Sequence, residues 1–202
     1  MRYEHLLIFG AVCVAAWLGS TYLYPRLMLS AYKRAILKQG IDAGPIPINT
    51  LYTQPQQLFA DPFTPLPPGS SRLLSYGTNR DTLYVFGWLN LRRGPLVLHV
   101  PDMADRYYSV QLTDPSKNIN FAYVGTRTAG TTVGDYLICG PGWHGTVPSG
   151  LTPIPAPNTS VLVAGRVLVQ NDRDLSTADA LARQIKLTPL NATGPLMPPP
   201  PE

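Results

Sequence analysis

The sequence predicts a mainly β fold, an antiparallel sandwich or jelly-roll-like domain with an N-terminal transmembrane helix before it and a short helix near its end. Three observations predict this. One long apolar run without charge, Leu6 to Tyr24, stands close to the N-terminus. Beyond residue 70 the apolar runs are short, β-branched or aromatic, and bounded by Gly, Pro or Asp. Twenty-two prolines and 17 glycines among 202 residues make turns frequent, which favours strands over long helices. The predicted parts are a transmembrane anchor (1–25), a juxtamembrane helix with a Pro-rich stalk (26–70), one β-rich domain (71–190) and a Pro-rich tail (191–202).

At about 1.5 Å per residue, the run from Leu6 to Tyr24 spans roughly 30 Å, the thickness of a bilayer core. Tyr3 on one side and Tyr22 and Tyr24 on the other stand where amphipathic rings favour the membrane interface, and Pro25 is expected to end the helix. The run is long for the apolar part of a cleaved signal, and no small-x-small cleavage site follows it. It therefore reads as an uncleaved anchor. Cys13 does not read as a lipidation site, because the residues before it do not form the required small-residue pattern. Arg26, Lys33, Arg34 and Lys38 follow the run, so the positive-inside rule alone puts the domain in the cytoplasm. The same four residues suit anionic lipid headgroups.

From Leu27 to Lys38 apolar and basic residues interleave as in a helix that lies near the membrane or docks on the domain, and Gly40 stops it. Prolines 45, 47, 55, 62, 65, 67 and 68 exclude helix or central strand between residues 44 and 69. That stretch reads as a stalk or a wrap over the domain. Predicted strands are Thr82 to Leu91, Leu96 to Val100, Tyr107 to Thr113, Ile119 to Val124, Tyr136 to Cys139 and Ser160 to Val169. Ser176 with Asp179 three residues later resembles a capping box opening a helix with an Ala178, Leu181, Ala182, Ile185 stripe.

The net charge of +4 is spread over scattered arginines, without the concentrated basic footprint of a nucleic-acid binder. Cys13 lies in the apolar run and Cys139 in a strand, so no disulfide joins them. No metal or other cofactor is expected: the histidines are His5, His99 and His144, with neither a cysteine pair nor close histidine spacing to help. The glycine-rich stretch from Gly125 to Gly134 lacks the Lys-Ser/Thr ending of a P-loop and reads as a hairpin loop. No Gly-x-Ser-x-Gly elbow is present.

The candidate ligand-binding residues are Asn79, Asp81, Tyr84, Trp88, Arg106, Tyr107, Tyr108 and Arg166. Tyr84, Phe86 and Trp88 alternate on one strand face, and Arg106, Tyr107 and Tyr108 open a later strand. Aromatics with a carboxylate and a guanidinium suit a sugar or another polar cyclic ligand. The plainer reading fills the core with these rings and pairs Asp81 with an arginine. Asp102, Asp105 and Asp114 invite a glycosidase-like acid–base pair, against the default of solvated turn aspartates. No catalytic residue is assigned.

Asn79-x-Asp-Thr-Leu-Tyr84, Trp88-Leu-x-Leu91, Val100-Pro-Asp102, Asp105-Arg-Tyr-Tyr108, Gly140-Pro-Gly-Trp143 with Gly145, and Gly165-Arg166 stand in this order. Together they resemble the family called domain of unknown function 1254, over roughly Asn49 to Leu190. The resemblance implies a β-rich, sandwich-like fold and an exported, periplasmic or extracytoplasmic location, and it implies no reaction. Larger relatives carry a domain of unknown function 1214 after this one, and the present chain ends before such a domain begins.

Two functions are therefore expected in competition. One is a membrane-anchored envelope module for binding or interaction, partnered by the bilayer through residues 6–24 and by a separate protein resembling domain 1214. The other is an enzyme acting on envelope carbohydrate or a similar polar substrate.

Overall fold

The computed structural model describes residues 3–40, 44–53 and 81–190. The proline-rich residues 54–69 and the tail lie outside them.

A single helix runs from Tyr3 to Gln39, long and apolar enough over its first half to cross a membrane, and none of that apolar window is buried against the domain. It consists of α1 (Tyr3–Leu18), a π-helical turn (Gly19–Leu23) and α2 (Tyr24–Gln39). Pro25 does not end it. A proline lacks the N–H and crowds the carbonyl four residues back. The wide turn just before it, where the Tyr24 N–H reaches the Gly19 carbonyl, absorbs the mismatch, and Pro25 sits in the first turn of α2. The predicted stop at Gly40 is observed: φ is 78°, its N–H reaches the Ala35 and Ile36 carbonyls, and a Cβ there would overlap the Gly44 carbonyl.

The remaining elements are β1 (Tyr52–Thr53), β2 (Thr82–Asn90), β3 (Leu96–Val100), β4 (Tyr108–Asp114), β5 (Ile119–Gly125), α3 (Thr126–Ala129), β6 (Gly134–Cys139), β7 (Leu151–Pro155), β8 (Ser160–Leu168), α4 (Leu175–Ala182) and β9 (Lys186–Pro189). The strands form two sheets, ordered β1-β2-β8-β4-β5 and β7-β6-β3-β9. All pairings in the larger sheet are antiparallel. In the smaller sheet β6 and β7 run parallel, a departure from the wholly antiparallel prediction. A parallel pair needs a return connection, and residues 140–150, with glycines at 140, 142, 145 and 150, provide it.

All six predicted strands are present, with ends moved by a residue or two. The unpredicted β1, β7 and β9 are short edge strands, and the prolines at 153 and 155 in β7 are tolerable there because an edge leaves N–H positions unpaired. The 125–134 stretch is not a hairpin loop: it carries the chain from the larger sheet to the smaller, and holds α3. The capping box at Ser176 is also replaced. α4 follows Asp174, no side chain caps it, and the Asp179 carboxylate instead accepts from Arg183 Nε at 2.8 Å.

The main core lies between the sheets. Leu83, Val85 and Leu89 of β2, Val161, Val163 and Val167 of β8, and Val110 and Leu112 of β4 face Leu96, Leu98, Val100 and Ile138 across the gap, and Ala178 and Ala182 of α4 join them. On β8 the inward position 165 is glycine, where a Cβ would come within 3.0 Å of the Val85 side chain. A smaller cluster lies on the other face of the larger sheet: Ile36 of α2, Ile46 and Phe86, with Tyr32, Tyr52 and Leu162 around them. The interleaved helix after the apolar run therefore docks on the domain. The segment behind it wraps the sheet edge, as the Asn49 N–H bonds to the Trp88 carbonyl at 2.9 Å and β1 pairs with β2.

Ile36 is 1% exposed, so Ile36→Ala is expected to cost about 2–4 kcal/mol at the dock. Hydrogen exchange should rise in residues 30–53 and stay slow in β2 and β8. Equal protection in both regions would contradict this seat.

Candidate functional site

Register fixes which side chains share the outer face of the larger sheet. Tyr84 stands opposite Arg166, and Arg166 opposite Ser109; Phe86 stands opposite Ala164, and Ala164 opposite Gln111. Gly125 and Tyr123 of β5 complete these two rows. The two rows thus run from the aromatics of β2 through Arg166 and Ala164 to Ser109 and Gln111 and end on Gly125 and Tyr123. The exposed Arg166 guanidinium lies 5.6 Å from the centre of the Tyr84 ring, a cation–π arrangement. On the far side Gln111, Thr113, Asn120 and Tyr123 form a hydrogen-bonded group, with Gln111 Nε2 donating to Asn120 Oδ1 at 2.8 Å and Asn120 Nδ2 donating to the Tyr123 hydroxyl at 2.8 Å.

Trp88 belongs to the same face but is covered. It is 1% exposed, its indole N–H donates to Ser160 Oγ at 2.7 Å, and Lys33 of α2 lies over its ring at 5.1 Å. Burial, and then the nearby Arg92 charge, lower the Lys33 ammonium below its ordinary range. Trp88 is therefore part of the seat of α2.

The other predicted residues go elsewhere. Asn79 lies outside the described residues. Asp81 is exposed at the start of β2, where its carbonyl accepts the Val169 N–H at 2.7 Å. Arg106 is buried at that same end, and its carboxylate partner is Asp174, not Asp81. Its Nη2 donates to Asp174 Oδ1 at 2.7 Å, and its Nη1 to the other carboxylate oxygen and to the Leu168 carbonyl. This pair ties the entrance of β4 to the segment after β8. Asp174 gave no signal in the sequence, since it follows β8 in an exposed-looking Asn-Asp-Arg-Asp run.

Tyr107 is exposed, while Tyr108 points to the opposite face and is wholly buried in the core. The Tyr108 hydroxyl has no hydrogen-bond partner among the described residues. Burial, with a smaller contribution from Tyr136, pushes its pKa up to about 12.

The three aspartates considered for acid–base chemistry hold turns. Asp102 accepts the Ala104 N–H at 2.8 Å, and Asp105 accepts from Thr131 Oγ1 at 2.9 Å. Asp114 is buried at the other end of the sandwich. Burial raises its carboxyl, but bonds from the Ser116 hydroxyl and N–H and from Asn158 outweigh it and leave the pKa lowered. His99 of β3 faces out and pairs through Nδ1 with Asp135 at 2.7 Å, with both side chains part-exposed. Among the described residues no group of three or more His, Cys, Asp or Glu is placed to hold a metal ion.

The model of the family described as "Protein of unknown function (DUF1254)" matches residues 63–189. The chain belongs to this family. The crystal structure of the VPA0106 protein from Vibrio parahaemolyticus is similar in fold, with a TM-score of 0.60 and 24% sequence identity over 90% of this chain and 41% of that one. This chain thus spans about two fifths of that protein's length. No curated protein matches it. Several motifs by which this DUF1254 chain resembles its family hold the fold: Arg106 braces two segments, Tyr108 fills the core, and Gly165 lets Val85 approach.

Two outcomes follow for the chain's stability. The Arg106 hydrogen bonds, opposed by burial, hold the Asp174 carboxyl below its ordinary value. A depressed folded pKa gives stability that is complete above about pH 4 and is lost as pH falls through the lower folded value. Arg106→Ala should therefore cost about 3 kcal/mol at pH 7 in urea unfolding and less in acid, because it leaves a carboxylate part-buried without its partner. Tyr108→Phe removes a buried hydroxyl without a partner and is expected to be neutral or to raise stability by about 1 kcal/mol. A loss above 2 kcal/mol would mean that the hydroxyl is bonded.

Proposed function

We propose that this DUF1254 protein is a single-pass membrane protein whose sandwich is a binding module held rigidly at the bilayer surface. The observation that carries this reading is the unbroken helix from Tyr3 to Gln39, apolar and exposed in its first half and seated on the sheet through Tyr32, Lys33 and Ile36 in its second. A flexible linker would let the domain wander. A continuous helix with a buried seat fixes its orientation to the span.

In this reading the recognition surface is the outer face around Tyr84 and Arg166, and its ligand class is a saccharide or a similar polar ring. Stacking on Tyr84, a charge-assisted bond from Arg166, and hydrogen bonds from Gln111 and Tyr123 suit such a ligand. The domain lies outside the cytoplasm, following the export that the family resemblance implies. A separate protein resembling domain 1214 is the assigned protein partner, and cross-linking in membranes should recover it.

The full chain is expected to stay in the pellet after alkaline carbonate extraction, and a C-terminal alkaline phosphatase fusion to be active where a fluorescent-protein fusion is dark. Release by carbonate would overturn the anchor. Arg166 is exposed, so Arg166→Ala should shift stability by less than about 0.5 kcal/mol. It should weaken saccharide capture on a glycan array at least about tenfold, the value of a lost charged hydrogen bond. An array that retains no glycan with the unaltered protein would sink the saccharide assignment.

A further inference from the structure

We propose that the end of the sandwich nearest the anchor is a docking surface for an anionic bilayer, formed by Arg92, Arg93 and Lys117 with the apolar side chain of Ile119. The proposal rests on the reading of α1 as a membrane span and adds to it which face of the domain meets the lipid.

The direction of α2 identifies that end. Lys33 lies over Trp88 and 3.4 Å from Ser160 Oγ, whereas Ile36, one turn later, packs with Phe86. The helix therefore runs opposite to β2, and followed backwards toward α1 it leaves the sheet past Asn90. Strand register gathers four connections at this end. Asn90 pairs with Ser160, Asp114 with Ile119, and Leu96 with both Ile138 and Pro189. The turns 91–95, 115–118 and 156–159 and the start of the 140–150 connection all lie here. About 12 Å of helix separates Tyr24, the last residue of the apolar run, from Tyr32, which packs on the domain. That is about one and a half Debye lengths at physiological salt, so long basic side chains reaching from this end toward the bilayer feel the headgroups.

Charge is unevenly placed along the sandwich to match. Among the described residues the anchor end exposes Arg92, Arg93 and Lys117, and its acidic residue is Asp114, buried with Oδ1 accepting from Ser116 and Asn158. The other described aspartates lie at or toward the opposite end, where they are mixed with Arg106, Arg127, Arg166, Arg173, Arg183 and Lys186, so the uncompensated positive charge is that of the anchor end. Ile119 is 54% exposed on the anchor end, and Trp143 lies half-buried in the 140–150 connection, which starts close to Leu91. Basic residues flanking an apolar or indole side chain are the composition that settles into a headgroup layer. Arg26 of α2, exposed just after the apolar run, extends the same positive field toward the bilayer.

The test uses the full chain in phosphatidylcholine nanodiscs with or without phosphatidylglycerol. A fluorescent donor is placed on Pro157→Cys, exposed in the 156–159 turn of this end, in a Cys13→Ala background, since Cys139 is buried, and an acceptor is carried on the lipid headgroups. Energy transfer should rise with phosphatidylglycerol as the rigid helix–domain unit tilts this end into the headgroups, fall back in high salt, and lose most of the rise in Arg92→Ala/Arg93→Ala/Lys117→Ala, each basic residue contributing about fivefold to the tilted population. A donor on Thr132→Cys, at the far end, should show no such rise.

Equal transfer in both disc types, a full rise in the triple variant, or an equal rise at Thr132 would overturn the docking surface while leaving the anchor intact. A chain that does not co-purify with discs at all would overturn both. The three substitutions are on exposed residues, and an unchanged melting temperature shows that the variant is folded.

Discussion

Nine consecutive antiparallel pairs between β2 and β8, from Thr82 with Leu168 to Asn90 with Ser160, set nearly every other feature of this molecule. Because side chains alternate along a strand, this one register sends Leu83, Val85 and Leu89 with Val161, Val163 and Val167 into the core. The same register brings Tyr84 to Arg166 and Trp88 to Ser160 on the other face. A slip by one residue would bury the arginine and expose the valines. Gly165 helps hold the pairing in place, since a side chain there would press on Val85.

The outer face then receives the helix. Phe86 and Trp88 would be an exposed apolar stripe without α2. Ile36 covers the first and Lys33 the second, and Ser160 joins both by bonding the Trp88 indole and the Lys33 ammonium. The same contacts that finish the fold therefore transmit the direction of the apolar helix into the domain. The apolar helix and the outer face of the larger sheet are coupled by packing, with the π-helical turn before Pro25 keeping the helix continuous.

At the far end the Arg106–Asp174 pair does a different job. It closes the sandwich where β4 enters and β8 leaves, in a region rich in turns and left-handed residues such as Ala104 and Asp105. A buried pair of this kind contributes little net stability compared with apolar packing, but breaking it is costly. It gives those two crossing segments a single geometry.

The apolar helix, the stop at Gly40, six strands and the face shared by Tyr84, Phe86 and Trp88 can be read from the residues in order, because these are local patterns of period, length and backbone freedom. The family was legible too, since its motifs are contiguous residues. The tertiary structure decided what lay across those strands. Arg106 chose Asp174 over Asp81, 68 residues away, and Arg166 joined Tyr84 through strand pairing that a linear spacing does not express. Tyr108 went into the core and its neighbour Tyr107 to the surface because the strand alternates, and only the second sheet says which side is the interior. The fate of Pro25 shows the limit from the other side. A local rule predicted a break, and a one-residue change of helical register before it kept the helix whole.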